Sequence, residues 1–304
     1  MYVTIGKIEQ WIEIGGDGSD RPVLLYLHGG PGGSSRPMTE AWRPWQRHFT
    51  VVHWDQRGTG LTLNRNGEVG CGRLTIAGMA EDAIELVEFL RSHLRRDKIV
   101  LVGHSWGSIL GIHVLKRRSD LFAAYAGTGQ AVDMRRNEEI NFARQMAQAM
   151  ATRNEAAMAA LREIGPPPYA ERTKIGILRQ WADELATGTG DNVKPRPSPL
   201  PSGFGPDDFA ILMRGFHFSG EQLFDELRAA DLTALGTEFS VPMFFFEGTH
   251  DQQTPIELAE EYFTRIVAPH KEFVRFEGCH HFVVMNRPDD FLRELVGRVL
   301  PILA

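Results

Sequence analysis

Hydrophobic and polar positions along the chain keep two rhythms. Short, nearly unbroken apolar runs occupy residues 22–27, 49–54, 98–102, 121–126 and 241–246. Runs of this length without polar alternation suit strands buried on both faces, as in a parallel sheet. Residues 272–276 read as one further strand, and residues 2–14 alternate instead (Val3, Ile5, Ile8, Trp11, Ile12, Ile14), predicting an antiparallel hairpin. Between the runs, apolar residues recur every third or fourth position. Ile76, Met79, Ala80, Ala83, Ile84, Val87 and Leu90 predict a helix from a Thr75 N-cap to about Leu94, and residues 108–116 predict a second. A final helix is expected to start within residues 286–291. This order of elements predicts an α/β fold.

The rhythm changes in the second half. Residues 132–186 are helix-rich in Ala, Met, Glu, Arg and Gln, and Gly165-Pro166-Pro167-Pro168 interrupts them. Residues 187–206 read as a Gly/Pro loop. Two short helices are expected at 207–216 and 220–229, because Ser219-Gly220-Glu221-Gln222 has the spacing of a capping box. A helical block between strands of one sheet predicts a cap over residues 131–236, with a core formed by 1–130 and 237–304.

Composition narrows the class. The chain has 304 residues, 42% hydrophobic and 24% charged, with a net charge of -6. That is a globular composition with no basic run for nucleic acid. Cys71 and Cys279 form no metal pattern, and a reduced compartment requires no disulfide between them. No stretch reads as a signal peptide or as the roughly 20 apolar residues of a membrane helix, so a cytoplasmic protein without membrane partner is expected.

The candidate chemistry sits at the ends of the predicted strands. Gly103-His104-Ser105-Trp106-Gly107 lies where a strand turns into a helix. A serine on such a strained turn exposes its hydroxyl, and the following helix aims amides and its positive dipole end at a developing oxyanion. After the 22–27 strand, His28-Gly29-Gly30-Pro31-Gly32-Gly33 can present backbone amides unobstructed. Gly30 is the first choice of oxyanion donor and Gly29 the second, with the amide of Trp106 as the other half of the hole. Asp251 follows the 241–246 strand, and His280 and His281 follow the 272–276 strand. The order serine, acid, histidine is that of a nucleophile, an orienting carboxylate and a base. Spacing to the final helix favours His281 as the base, leaving His280 to line the site or fill the loop, and His250 as structural. Asp55 and Arg57, in Asp55-Gln56-Arg57-Gly58-Thr59-Gly60, are expected to pair locally and hold their loop beside the site.

These three motifs, in this order, resemble the prolyl iminopeptidase family of α/β-hydrolases, and the resemblance extends over nearly the whole chain. It implies the α/β-hydrolase fold, a mostly parallel eight-stranded sheet with an inserted helical cap. It also implies release of an N-terminal residue, often proline, without metal or cofactor. Ser105 would be the nucleophile, Asp251 the acid and His281 the base. Two departures stand out. His104 replaces the second glycine of Gly-Gly-Ser-Trp-Gly, and Leu61-Thr62 follow Gly60 where serine is usual. They place the chain in a branch with less uniform substrates. In the family, cap carboxylates bind the substrate's free amine. Glu138, Glu139 and Glu221 are the candidates, with Glu139 and Gly29 assigned to substrate binding. Trp181, Phe216, Phe218 and Phe224 line a pocket or pack a core. The expected partner is a small molecule or short peptide, and no feature sets an oligomeric state. An esterase, lactonase or carbon–carbon hydrolase would use the same triad, and a non-catalytic ligand sensor is the alternative outside enzymes. Epoxide and dehalogenase chemistry is disfavoured, since it needs an aspartate where Ser105 stands.

Overall fold

The computed structural model describes residues 1–16, 21–187 and 200–303. Its centre is an eight-stranded sheet: β1 (Tyr2–Ile5), β2 (Ile8–Gly15), β3 (Val23–Leu27), β4 (Thr50–Asp55), β5 (Ile99–His104), β6 (Phe122–Thr128), β7 (Met243–Gly248) and β8 (Lys271–Phe276). The spatial order is β1-β2-β4-β3-β5-β6-β7-β8. β2 pairs antiparallel with β1 and β4, and every other pair is parallel. The unbroken apolar runs become β3, β4, β5 and β7, each buried at every residue, as strands covered on both faces must be.

Among the described residues, helices flank or surmount the sheet: α1 (Gly60–Cys71), α2 (Ile76–Leu94), α3 (Trp106–Arg118), α4 (Met134–Ala151), α5 (Glu155–Ile164), α6 (Arg172–Thr187), α7 (Pro206–Arg228), α8 (Ile256–Arg265), α9 (Val283–Asn286) and α10 (Pro288–Val299). Thr75 caps α2 by accepting from the Gly78 amide at 3.0 Å, as its sequence position predicts. On one face of the sheet α2, α3 and α8 bury an aliphatic core. On the other, Trp42 and Trp45 stack at 4.1 Å and meet Phe291 of α10. α4, α5 and α6, between β6 and β7, enclose a third apolar cluster with Leu161 and Leu178 at its centre.

One stretch forms an element the sequence did not announce, and another differs from expectation. Residues 60–71, to which the sequence pattern assigns no element, form α1, kinked at Gly67. Its start is pinned by the Asp55 carboxylate, which accepts from the Leu61 amide at 2.7 Å. The two short helices expected at 207–216 and 220–229 are one helix, α7. Ser219 does not cap; it is fully buried, and its hydroxyl donates to the Gly58 carbonyl at 2.9 Å. The real N-terminal box lies earlier, where Asp208 accepts from the Gly205 amide at 3.0 Å. Small residues at 215 and 219 let α7 press on the loops below, and a Cβ on Gly32 would sit 2.3 Å from the Gly215 carbonyl. Of the loop read at 187–206, residues 188–199 lie outside the described residues.

Candidate active site

Ser105 joins β5 to α3 with φ +54° and ψ −119°, a region that non-glycine residues rarely adopt. Its neighbours impose the conformation. The Ser105 amide donates to the Thr128 carbonyl (3.1 Å), and the Ser105 carbonyl accepts from the amide and hydroxyl of Ser108 (2.8 and 2.6 Å). The Ser108 hydroxyl in turn accepts from the Ala131 amide at 3.1 Å. The flanking glycines follow from close approach: a Cβ on Gly103 would lie 2.6 Å from the Gly107 carbonyl, and one on Gly107 2.0 Å from that of Leu27.

Gly29 lies directly behind the serine, since a Cβ there would be 3.2 Å from Ser105 Cβ. Gly30 has φ +121°, a conformation that needs glycine. Trp106 is the first residue of α3, where a helix leaves its amides without intrahelical acceptors. The link between these two donor segments is Gln56, to which no sequence motif assigns a role. Its side chain accepts from the Trp106 indole at 2.9 Å, and its amide donates to His28 Nε2 at 3.4 Å. Nε2 is therefore unprotonated, and Nδ1–H donates to the Gly29 carbonyl at 2.9 Å. Burial lowers the His28 pKa to about 4, which keeps this ring neutral.

Asp251 follows β7, and His281 lies in the turn before α9. Asp251 Oδ2 accepts from His281 Nδ1 at 2.8 Å and from the Thr254 hydroxyl at 2.8 Å. Its Oδ1 accepts from the amides of Gln253 (2.7 Å) and Thr254 (2.8 Å). Burial alone would raise the Asp251 pKa. The His281 ring and these hydrogen bonds outweigh burial and hold it below the usual value. With Nδ1–H directed at the carboxylate, His281 keeps Nε2 as its free base. His280 is also buried, but its ring faces His250, centroids 5.9 Å apart. The Ser105 turn meets the His281 ring through His104, whose centroid is 4.8 Å away. His104 Nδ1 donates to the Thr128 carbonyl at 3.2 Å, and burial followed by the His281 charge lowers its pKa to about 3. Gly129 backs the His281 ring, and a Cβ there would lie 2.9 Å from Cε1. Glu247, fully buried, accepts from the adjoining Gln130 amide at 3.2 Å; burial, with the nearby Asp251 charge, raises its pKa well above the carboxylate range.

Two expectations are corrected. Asp55 and Arg57 do not pair. Arg57 forks onto Asp82 (2.7 and 3.0 Å) and reaches the Gly6 carbonyl at 2.8 Å. Asp55 instead bonds Ser34 at the end of the glycine-rich loop, and burial lifts its pKa to about 6. The residues leave the end of β4 in different directions, Arg57 towards α2 and Asp55 towards the glycine-rich loop. Glu139 faces outwards, with a half-exposed side chain 3.8 Å from Arg135. Its neighbour Glu138 points inwards and pairs with Arg179 at 2.6 Å. Adjacent helical residues diverge by about 100°, and the buried face of α4 is polar (Asn137, Glu138, Asn141, Gln145), so hydrophobic periodicity gave no sign of which glutamate turned in. Glu221 is exposed and pairs with Arg172 at 3.0 Å. Trp181 packs against the third cluster, Phe218 against the aliphatic core, and Phe216 is exposed beneath Arg172. Cys71 and Cys279 are both buried. No helix among the described residues is long and apolar enough to cross a membrane.

Known proteins resemble this chain in sequence and in fold. "Probable aminopeptidase YbaC" of Bacillus subtilis (strain 168) is 32% identical over 305 residues, covering 96% of this chain and 93% of its own. A proline iminopeptidase of Lactobacillus delbrueckii subsp. lactis is 30% identical over 118 residues, 36% of either chain. In structure, the proline iminopeptidase of Mycobacterium smegmatis superposes with a TM-score of 0.71 at 19% identity, covering 100% of this chain and 98% of its own. A proline iminopeptidase-related protein of Thermus thermophilus gives 0.67 at 22% identity, covering 100% and 97%. Residues 24–294 match the profile of the Alpha/beta hydrolase family, and the chain, with its eight-stranded sheet and the serine turn after β5, belongs to that family.

Proposed function

We propose that this hydrolase works by acyl transfer through Ser105, His281 and Asp251. The observation that carries the reading is the Asp251–His281 pair, buried and 2.8 Å apart, with the His281 ring 4.8 Å from that of His104, the residue before a serine held at positive φ. Ser105 Oγ attacks the substrate carbonyl carbon while His281 Nε2 takes its proton, and Asp251 stabilises the imidazolium. The amides of Trp106 and Gly30 donate to the oxyanion. His281 then returns the proton to the leaving group. Water, deprotonated by His281, hydrolyses the acyl-enzyme and restores Ser105.

The likeness to an aminopeptidase over nearly the full chain supports a small peptide or amino-acid amide as substrate, with the helices of residues 131–236 as the cap over it. One observation favours a second reading. A desolvated ammonium needs a counter-charge. Glu138, the buried carboxylate of α4, is already neutralised by Arg179. An uncharged acyl group, as in an ester or lactone, needs no such partner.

Proline and alanine anilides beside a short-chain nitrophenyl ester, with wild type and Ser105→Ala, separate the readings. Anilide cleavage that falls about a thousandfold or more in the variant supports the aminopeptidase. Ester cleavage alone, lost in the variant, selects the second reading. Equal rates for wild type and variant would remove Ser105 from the chemistry.

A further inference from the structure

We infer that Arg179 is a positioning residue for the catalytic acid, acting on Asp251 through a single peptide unit from the inserted helices; this rests on the triad reading above. The peptide joining Gln253 to Thr254 carries two sets of hydrogen bonds. Its N–H, that of Thr254, donates to Asp251 Oδ1 at 2.8 Å. Its C=O, that of Gln253, accepts three donors: Arg179 Nη1 at 2.7 Å, Asn137 Nδ2 at 2.7 Å and Asn141 Nδ2 at 3.0 Å. Arg179 stands on α6, and the two asparagines stand one turn apart on α4. The cap thus grips one end of the peptide whose other end holds the carboxylate.

Two effects follow. The first is geometric. Three donors from two helices fix the orientation of the peptide plane, and so the direction of the Thr254 N–H. The second is electronic. Hydrogen bonds in a chain polarise one another, most strongly when a donor is charged. A guanidinium on the carbonyl makes the amide a stronger donor to Asp251. Glu138 completes the device: its Oε1 accepts from Arg179 Nη2 at 2.6 Å, which aims the fork and balances its charge in a buried setting. No residue of this latch needs to touch substrate.

The test uses the full chain and whichever anilide or ester the wild type cleaves. Arg179→Met is expected to lower kcat about tenfold to a hundredfold through misplacement of the triad. KM should stay within about threefold, since no ground-state contact is removed. The downfield proton resonance of His281 Nδ1–H, which reports the bond to Asp251 without turnover, should broaden or move upfield. Arg179→Lys, keeping a cation and one donor, should recover part of both signals. If Arg179→Met does not fold, Asn141→Leu removes one donor and leaves the ion pair whole; a smaller kcat loss with the same shift of the resonance is expected. A folded Arg179→Met, or failing that Asn141→Leu, with wild-type kcat and an unmoved resonance overturns the inference. So does a rise in KM with kcat unchanged. Ser105→Ala is run alongside: retained activity there removes the triad reading itself, whereas its loss beside an unaffected Arg179 variant removes only the latch.

Discussion

Ser105 holds a backbone conformation that costs about 1–3 kcal/mol by itself, and Ser108, Thr128 and two close-packed glycines offset that cost. Motif and chain order single out Ser105, Asp251 and His281 as candidates, because they follow β5, β7 and β8 in turn, where each run of strand residues stops. Gln56 and Arg179 were not legible, and Glu138 was legible only as one of three cap carboxylates, not as the partner of Arg179. They are polar groups turned inwards, and only their partners reveal them. His53 is a further buried polar group of this kind, with Nδ1 on the Ser35 hydroxyl at 3.0 Å and its ring 5.2 Å from that of Trp42. Burial lowers its pKa to about 4. The unfolded chain therefore takes up this proton first, and the contribution of His53 to stability is lost as pH drops from about 6.5 towards 4. His53→Phe should flatten that part of the profile. Urea unfolding at a series of pH values is expected to show wild type losing up to about 3 kcal/mol relative to the variant across the window. Parallel curves would mean that His53 is protonated in the folded protein.

α7 shows how an element escapes a local reading. Ser219-Gly220 looks like a helix start, yet Ser219, with Gly215 one turn before it, is what an uninterrupted helix needs in order to lie against another backbone. The sequence favoured both meanings, and only the loop packed beneath, at Gly58 and Gly60, decides between them. Similarly, α1 is helical because Asp55 satisfies its first turn from 6 residues away, not because its composition favours helix. Gly215→Leu on α7 should push the helix from the 58–60 loop and from Gly32. The expected cost is about 1–3 kcal/mol in chemical unfolding, with kcat falling as the oxyanion loop loses its roof. Wild-type kcat in the folded variant would show that α7 does not order that loop.

At the scale of the whole molecule, the inserted helices rest on both halves of the site. α7 lies on the glycine-rich loop after β3, where Arg36 also reaches Asp208 at 3.1 Å, and α4 with α6 grips the loop of Asp251. Their own apolar cluster is small beside the two that flank the sheet. The insertion is therefore expected to melt with the sheet rather than before it. Heating while following both residual activity and tryptophan fluorescence should give one coincident transition. Activity lost well below the fluorescence midpoint would show an insertion that unfolds alone.

The peptide between Gln253 and Thr254 bears on how such proteins can be re-engineered. A lid exchanged between two relatives would change more than a filter over a fixed engine. Here the lid's arginine and asparagines complete the mounting of the engine's own carboxylate. A transplanted lid would need to bring those three donors at the same places, or the recipient would gain a new doorway and lose the alignment of its acid.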